Sequence, residues 1–170
     1  FNESAHSAAI KLECSLPHAL REELSAVNKS IQIDLDPVSD LQDKERFYQT
    51  FVDAIAKGTV LKATYESLTE WETIETKLRP YQLLFSRRSW YVVGRSSLHR
   101  EIRTFNLARF SEVETTSQKY KIPKSFSLHK YLGNAWHLVP EPGPDHQIVV
   151  RFQPLVAQNV AEVVWHKTQR

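Results

Sequence analysis

Apolar and polar residues change rhythm several times along this chain, and each change predicts a different element. Ala8, Ile10, Leu12, Ala19, Leu20, Leu24 and Val27 supply apolar positions in a polar background, and Pro17 suits a first helical turn. Helices are predicted over residues 6–14 and 17–27. Ile31, Ile33 and Leu35 then alternate with Gln32 and Asp34, the period-two signature of a half-buried strand that Asp36-Pro37 ends. From Lys44 the spacing becomes four: Phe47, Phe51 and Ile55 recur with Tyr48 and Val52 one step round, and Gly58 follows as a stop. That predicts an amphipathic helix of about three to four turns. Beyond it the chain turns β-rich, with strands predicted over residues 60–66, 72–84, 89–94, 102–108 and 110–115.

Short loops between these strands make most neighbours antiparallel, and the strand lengths fit a small, strongly curled sheet or barrel. Pro80 falls inside the second strand and requires an edge, a bulge or a break there. After Tyr120 a loop with Pro123 leads to a predicted helix over residues 125–132, stopped by Gly133. Glu141-Pro142-Gly143-Pro144-Asp145 resists both helix and sheet and is the clearest linker. On its far side Ile148, Val150 and Phe152 alternate with Gln147, Val149, Arg151 and Gln153, and Pro154 opens a helix through Val163. This strand-helix unit is too small to bury its own apolar face, so it packs back on the barrel or begins a second domain. The expected class is α+β, mainly β. The expected divisions are a helical connector with one strand over 1–43, a helix-plus-barrel domain with a trailing helix over 44–140, and a partial extension over 146–170.

Composition narrows this little, because 41% hydrophobic and 25% charged residues are ordinary for a globular chain. No apolar run approaches the ~20 residues of a membrane span. The lone Cys14 cannot form an internal disulfide, and a cytoplasmic setting is expected. The sequence holds no methionine and starts at Phe1, so we expect a piece of a longer chain.

Charge changes the picture more. The net charge is only +2, yet residues 77–109 hold eight of the 22 Lys and Arg residues against one acid, Glu101. Tyr81, Phe85, Trp90, Tyr91 and Phe105 lie in the same window. Arginine interleaved with aromatics suits an anion or nucleic-acid site; half-buried strands with rings inside and solvated Arg outside give the same pattern. Enzymatic readings find little support. The seven histidines show no metal-ligand spacing, no Gly-rich phosphate loop exists among four glycines, and no nucleophile elbow appears. Glu66, Glu70, Glu72 and Glu75 around Trp71 read as a solvated hairpin or as partners for the arginines. No catalytic residue, metal or cofactor is expected.

Trp90-Tyr91-Val92-Val93-Gly94, followed by Arg103-x-Phe105-x-Leu107-x-Arg109, resembles the WYL-domain family of bacterial transcriptional regulators. Tyr65-x-Ser67 and Leu78-Arg79-Pro80-Tyr81-x-Leu83 belong to the same resemblance, which spans about residues 47 to 115. The stretch Val149-Val150-Arg151-Phe152, a Pro154-initiated helix and Val164-Trp165-His166-x-x-Gln169 look like the opening of the small C-terminal extension that often follows such a domain. The resemblance implies an SH3-like or Sm-like barrel that senses an effector, single-stranded nucleic acid or a nucleotide. It also implies DNA contact through an N-terminal helix-turn-helix that this sequence does not show, and a homodimer with no membrane role. Period two places Arg103, Phe105, Leu107 and Arg109 on one strand face. The expected ligand-binding residues are Tyr65, Ser67, Arg79, Tyr81, Trp90, Tyr91, Arg103, Phe105 and Arg109. A ligand-free dimerisation module and a stand-alone RNA-binding Sm-like protein are the alternatives.

Overall fold

The computed structural model describes residues 2–30, 44–68 and 71–170. The strand predicted around Ile31 to Leu35 lies outside the described residues. The N-terminal helices are α1 (Asn2–Ser15) and α2 (His18–Ser30), both slightly longer than their apolar positions required. Ile10, Leu12, Leu20 and Leu24 on them are exposed.

Helix α3 (Glu45–Lys57) realises the four-residue spacing: it buries Phe47, Phe51 and Ala54 and leaves its polar side to water. Gly58 ends it in the left-handed region, φ 60° and ψ 48°, with its N–H facing the carbonyls of Ala54 and Ile55. A side chain here would meet the Tyr120 carbonyl oxygen at 2.7 Å, so both the backbone sign and the space call for glycine.

Five strands follow: β1 (Thr59–Ser67), β2 (Glu72–Ser86), β3 (Ser89–Ser96), β4 (Ile102–Asn106) and β5 (Phe110–Lys119). They form one sheet in the order β4-β3-β2-β1-β5, and every pairing is antiparallel. This is the mainly β, α+β architecture expected of an SH3-like or Sm-like domain, with the sheet curled but not closed. A 3-10 turn over Leu107–Arg109 sits between the two edge strands, and Leu107 and Phe110 there are fully buried. The fourth strand thus ends earlier than predicted. The Asn106 side chain accepts a hydrogen bond from Ala108 N at 3.0 Å, which stabilises the turn in place of further ladder.

The core lies between α3 and the concave side of the sheet. Phe47, Phe51 and Ala54 meet Leu61, Ala63, Tyr65, Ile74, Leu78, Val92, Phe105, Leu107 and Phe110. The Phe51 and Phe110 ring centroids lie 5.1 Å apart. Strand β2 curls the sheet by changing partners. Its ladder with β1 stops at Leu61 opposite Leu78, and its ladder with β3 continues from Leu78 to Ser86. Pro80 lies beside this handover, at a register shift between Pro80 and Gln82. The sequence-based expectation of a bulge therefore holds, although β2 is central in the sheet.

Beyond β5, α4 (Leu128–Leu132) is shorter than the predicted helix, because Ser127 caps it and Phe126 turns back to pack on Tyr81. Residues 141–145 carry no helix or strand. The strand predicted at Ile148 to Phe152 is absent: these residues form no ladder, and Ile148, Val149 and Val150 are exposed. Alternation alone cannot make a strand without a partner for its backbone groups. Helix α5 (Pro154–Ala161) starts at the predicted proline and stops two residues early.

Phe51 makes the core test. Phe51→Ala should cost about 3–5 kcal/mol of stability in urea unfolding, the range for removing a large buried ring. A loss under about 1 kcal/mol would show that α3 does not close the core.

Candidate functional site

The bulge in β2 decides which charges meet. From Ser86 opposite Ser89 down to Gln82 opposite Val93 the hairpin keeps one register; past Tyr81 it slips by one residue, so Arg79 faces Arg95. Without the slip Arg79 would face Ser96. Gly94, opposite Pro80, makes the close approach possible, since a side chain there would lie 2.5 Å from the Arg79 carbonyl oxygen. Directly opposed residues of antiparallel strands stand about 5 Å apart at Cα, and like charges so placed repel.

Lys77 and Arg79 alternate with the buried Leu78 and Pro80, and both are exposed, as is Arg95. Among the described residues none of these three cations makes an ion pair. The acids take other partners: Glu75 binds Lys62 at 3.5 Å across the β1–β2 ladder, and Glu112 accepts from Thr64 Oγ1 at 3.4 Å. Glu75, on β2 two residues before Lys77, is thus engaged by Lys62 of β1, and Lys77, Arg79 and Arg95 are left without an ion-pair partner among the described residues. Two guanidinium forks side by side, open to water, can hold a phosphate or carboxylate bidentately.

The turn from β3 to β4 folds onto β2 and fixes this edge. Buried Ser96 Oγ lies 2.9 Å from Thr76 Oγ1 and 3.0 Å from His99 Nδ1, Lys77 N donates to Ser97 Oγ at 2.9 Å, and Ser97 N donates to the Lys77 carbonyl at 2.9 Å. This hydroxyl cluster satisfies its own buried groups and sets the backbone beside Arg95.

The nine sequence-expected site residues divide by place. Tyr65 is buried edge-on to Phe105, their centroids 5.0 Å apart, and its hydroxyl accepts from Asn106 N at 3.3 Å. Phe105 is likewise buried in the core. Ser67 is buried at the end of β1, opposite Glu72. Trp90 is half-buried, edge-on to Tyr48 at 4.8 Å and tilted against Phe85 at 5.2 Å. Tyr81, the residue at the bulge, lies in a second small cluster with Val60 and Tyr120, against Ile102 and Phe126. Tyr91 is half-buried on β3, between Leu84 and Asn106 in the ladder.

Arg103 is half-buried on β4, and its Nε donates to Glu101 Oε1 at 2.8 Å. Arg109 stands in the 3-10 turn. The two arginines therefore do not share one strand face as period two required, because the strand stops at Asn106. Of the nine, Arg79 alone lies in the fully exposed cationic group. Its partner Arg95 escaped the sequence reading, since only the bulged register brings the two together.

The face is bounded by the segment after β5. Thr104 Oγ1 donates to the Leu138 carbonyl at 2.6 Å and lies 3.3 Å from the Tyr131 hydroxyl, whose pKa burial raises. The Tyr120 hydroxyl donates to the Pro80 carbonyl, satisfying a backbone group beside the bulge. Among the described residues no His, Cys, Asp or Glu group could hold a metal ion, and no helix is long and apolar enough to cross a membrane.

Residues 46–115 match the family model of the WYL domain. That span coincides with α3 and the five-stranded sheet down to the middle of β5. Among solved structures the chain is similar to proteasome accessory factor B/C (PafBC) of Arthrobacter aurescens, at 22% identity and a TM-score of 0.44. The match covers 50% of this chain and 13% of that one.

The Tyr120 bond gives a pH signature. Burial, with Tyr81 beside it, pushes the Tyr120 hydroxyl from 10.0 up to about 12. The folded state holds the neutral phenol, so this stabilisation is complete below the unfolded value and is lost as pH climbs towards about 12. Thermal melts over that interval should lose Tm more steeply in the wild-type chain than in Tyr120→Phe. Equal slopes would contradict the assignment.

Proposed function

We propose that the WYL domain at residues 46–115 is the sensing part of a bacterial transcription regulator, and that it takes an anionic effector on the exposed cationic strands β2 and β3. The observation that carries this reading is the set Lys77, Arg79 and Arg95 on one sheet surface, without an ion pair among the described residues and with Arg79 directly opposite Arg95. An arrangement that repels itself in the empty state is relieved by a bound anion. Single-stranded nucleic acid or a nucleotide fits best, because phosphate matches the guanidinium fork. Tyr91, four residues from Arg95 along β3 and so about 13 Å away, offers a ring for a neighbouring base. Arg103 and Arg109 extend the positive field around it. Tyr65, Ser67, Tyr81, Trp90 and Phe105 hold the strands that present these groups.

As a sensor the domain works by differential affinity. An effector that binds one arrangement of the domain and its attached helices more tightly than another shifts the balance by that difference and no more. A DNA-reading segment joined to the chain would be the recipient of the shift. No step of this reading requires catalysis or a cofactor.

Self-association is a second reading, favoured by exposed Leu20 and Leu24 one turn apart on α2. Light scattering should then give a dimer for the full chain and a monomer for the Leu20→Glu/Leu24→Glu variant; a monomeric parent would remove this reading.

The main reading is tested by fluorescence polarisation with short labelled single-stranded DNA. Affinity should fall steeply with salt, and Arg79→Ala or Arg95→Ala should each cost about 1–3 kcal/mol, the loss expected for a charged hydrogen bond. Salt-insensitive binding, or full affinity in both variants, would overturn it.

A further inference from the structure

The connection between β1 and β2 carries a feature that the effector surface does not use. Ser67 opposite Glu72 is the last pair of that ladder, and Leu68 and Trp71 lie beyond it. Trp71 is 87% exposed, the most exposed of the four tryptophans, and Leu68 is exposed as well. A tryptophan bared to that degree leaves in water the apolar surface that gains most from burial. Its φ is positive, 54°, a backbone region unfavourable for a bulky residue. Glycine would relax the position, so folding does not account for a tryptophan there, and strain kept at an exposed tip points to function.

The charges flanking this tip are acidic. Glu66 on β1 and Glu72 on β2 are exposed, and neither makes an ion pair among the described residues. An apolar centre rimmed by carboxylates suits a protein partner of positive charge, whereas the phosphates of a nucleic acid or an anionic lipid surface would be repelled.

A surface of the complementary kind lies on the same chain. Lys77, Arg79 and Arg95 make no ion pair among the described residues, and Leu98, in the turn that folds onto β2, is exposed. Leu98 N donates to Thr76 Oγ1 at 3.4 Å and Ser97 N to the Lys77 carbonyl at 2.9 Å, which fixes this apolar residue next to the cationic positions. The tip cannot reach them within one molecule. Glu72 and Lys77 stand five residues apart on one strand, about 17 Å, and Arg79 lies about 23 Å away.

We infer that the β1–β2 tip of one copy docks on the Lys77, Arg79 and Arg95 surface of a second copy, with Trp71 against Leu98 and a guanidinium group, and with Glu66 and Glu72 paired to the cations. Tip and surface are different patches, so the contact is heterologous: every copy offers one of each, and two copies close a pair when both contacts form. A contact this small is weak and transient. It occupies the surface assigned above to the effector, so docking and effector binding exclude each other; that consequence alone rests on the effector reading.

Sedimentation equilibrium at high protein concentration tests it, in the Leu20→Glu/Leu24→Glu chain so that α2 contributes nothing. Concentration-dependent association is expected. Salt should weaken it, and Trp71→Gly or Arg79→Gln/Arg95→Gln should each weaken it about tenfold or more, as for loss of an aromatic anchor or of charge-assisted bonds. Trp71→Gly relaxes the positive φ and removes no buried group, so weakened association there cannot be blamed on misfolding. Each of these two variants keeps one half of the contact, so mixing them should give a complex that neither forms alone. Short single-stranded DNA should disperse the association, while Trp71→Gly keeps full affinity for the DNA. DNA that does not bind, with the mixed complex intact, would remove the effector reading and leave the docking standing. Absence of association, unchanged association in Trp71→Gly, a mixture no more associated than its components, or bound DNA that leaves the association intact would overturn the inference.

Discussion

The bulge beside Pro80 is the constraint on which the rest depends. A 15-residue strand cannot stay flat beside both neighbours in so small a sheet, and β2 resolves this by leaving β1 near Leu78 and running on with β3. Proline, which interrupts a regular central ladder, sits at the handover. One extra residue, Tyr81, enters the second cluster, and Tyr120 closes the Pro80 carbonyl from the segment after β5. The same slip sets Arg79 against Arg95. Curvature, the packing of the trailing segment and the cationic surface thus share one local cause.

Helix α3 supplies the complementary half. Because its Phe47, Phe51 and Ala54 fill the concave side, the sheet needs no hydrogen-bonded closure between β4 and β5. Leu107 and Phe110 seal that seam with side chains instead. The convex side is then divided. Part of it, including Tyr81 on β2, is covered by Phe126 and by the Tyr131 and Leu138 contacts to Thr104, and the Lys77, Arg79 and Arg95 side chains stay open to water. An open, uncompensated cationic surface on a rigid sheet is a suitable platform for an anion, since little ordering is needed on binding.

The sequence made the elements legible where periodicity was strong. Phe47, Phe51 and Ile55 announced α3, Gly58 its end, and Pro80 a bulge. It was less informative wherever a partner decides the outcome. The alternation from Ile148 to Phe152 suggested a strand, but no ladder receives it. Arg103 and Arg109 shared a period-two face on paper, yet the Asn106 side chain turned the chain into a 3-10 turn before Arg109. Arg95 was invisible as a partner of Arg79, because a register shift of one residue cannot be read from either strand alone. Of the residues that carry the family resemblance, Tyr65 and Phe105 pack in the core, and Trp90 packs on Tyr48.

The most direct test is to map, by amide chemical shifts on the labelled chain, where a short single-stranded oligonucleotide lands. Saturating shifts should concentrate at Lys77, Arg79 and Arg95 and extend along β3 to Tyr91, with the concave core residues unmoved. Shifts confined to β1 and β5, or none at saturating oligonucleotide, would contradict the claim that the bulged register builds an anion site.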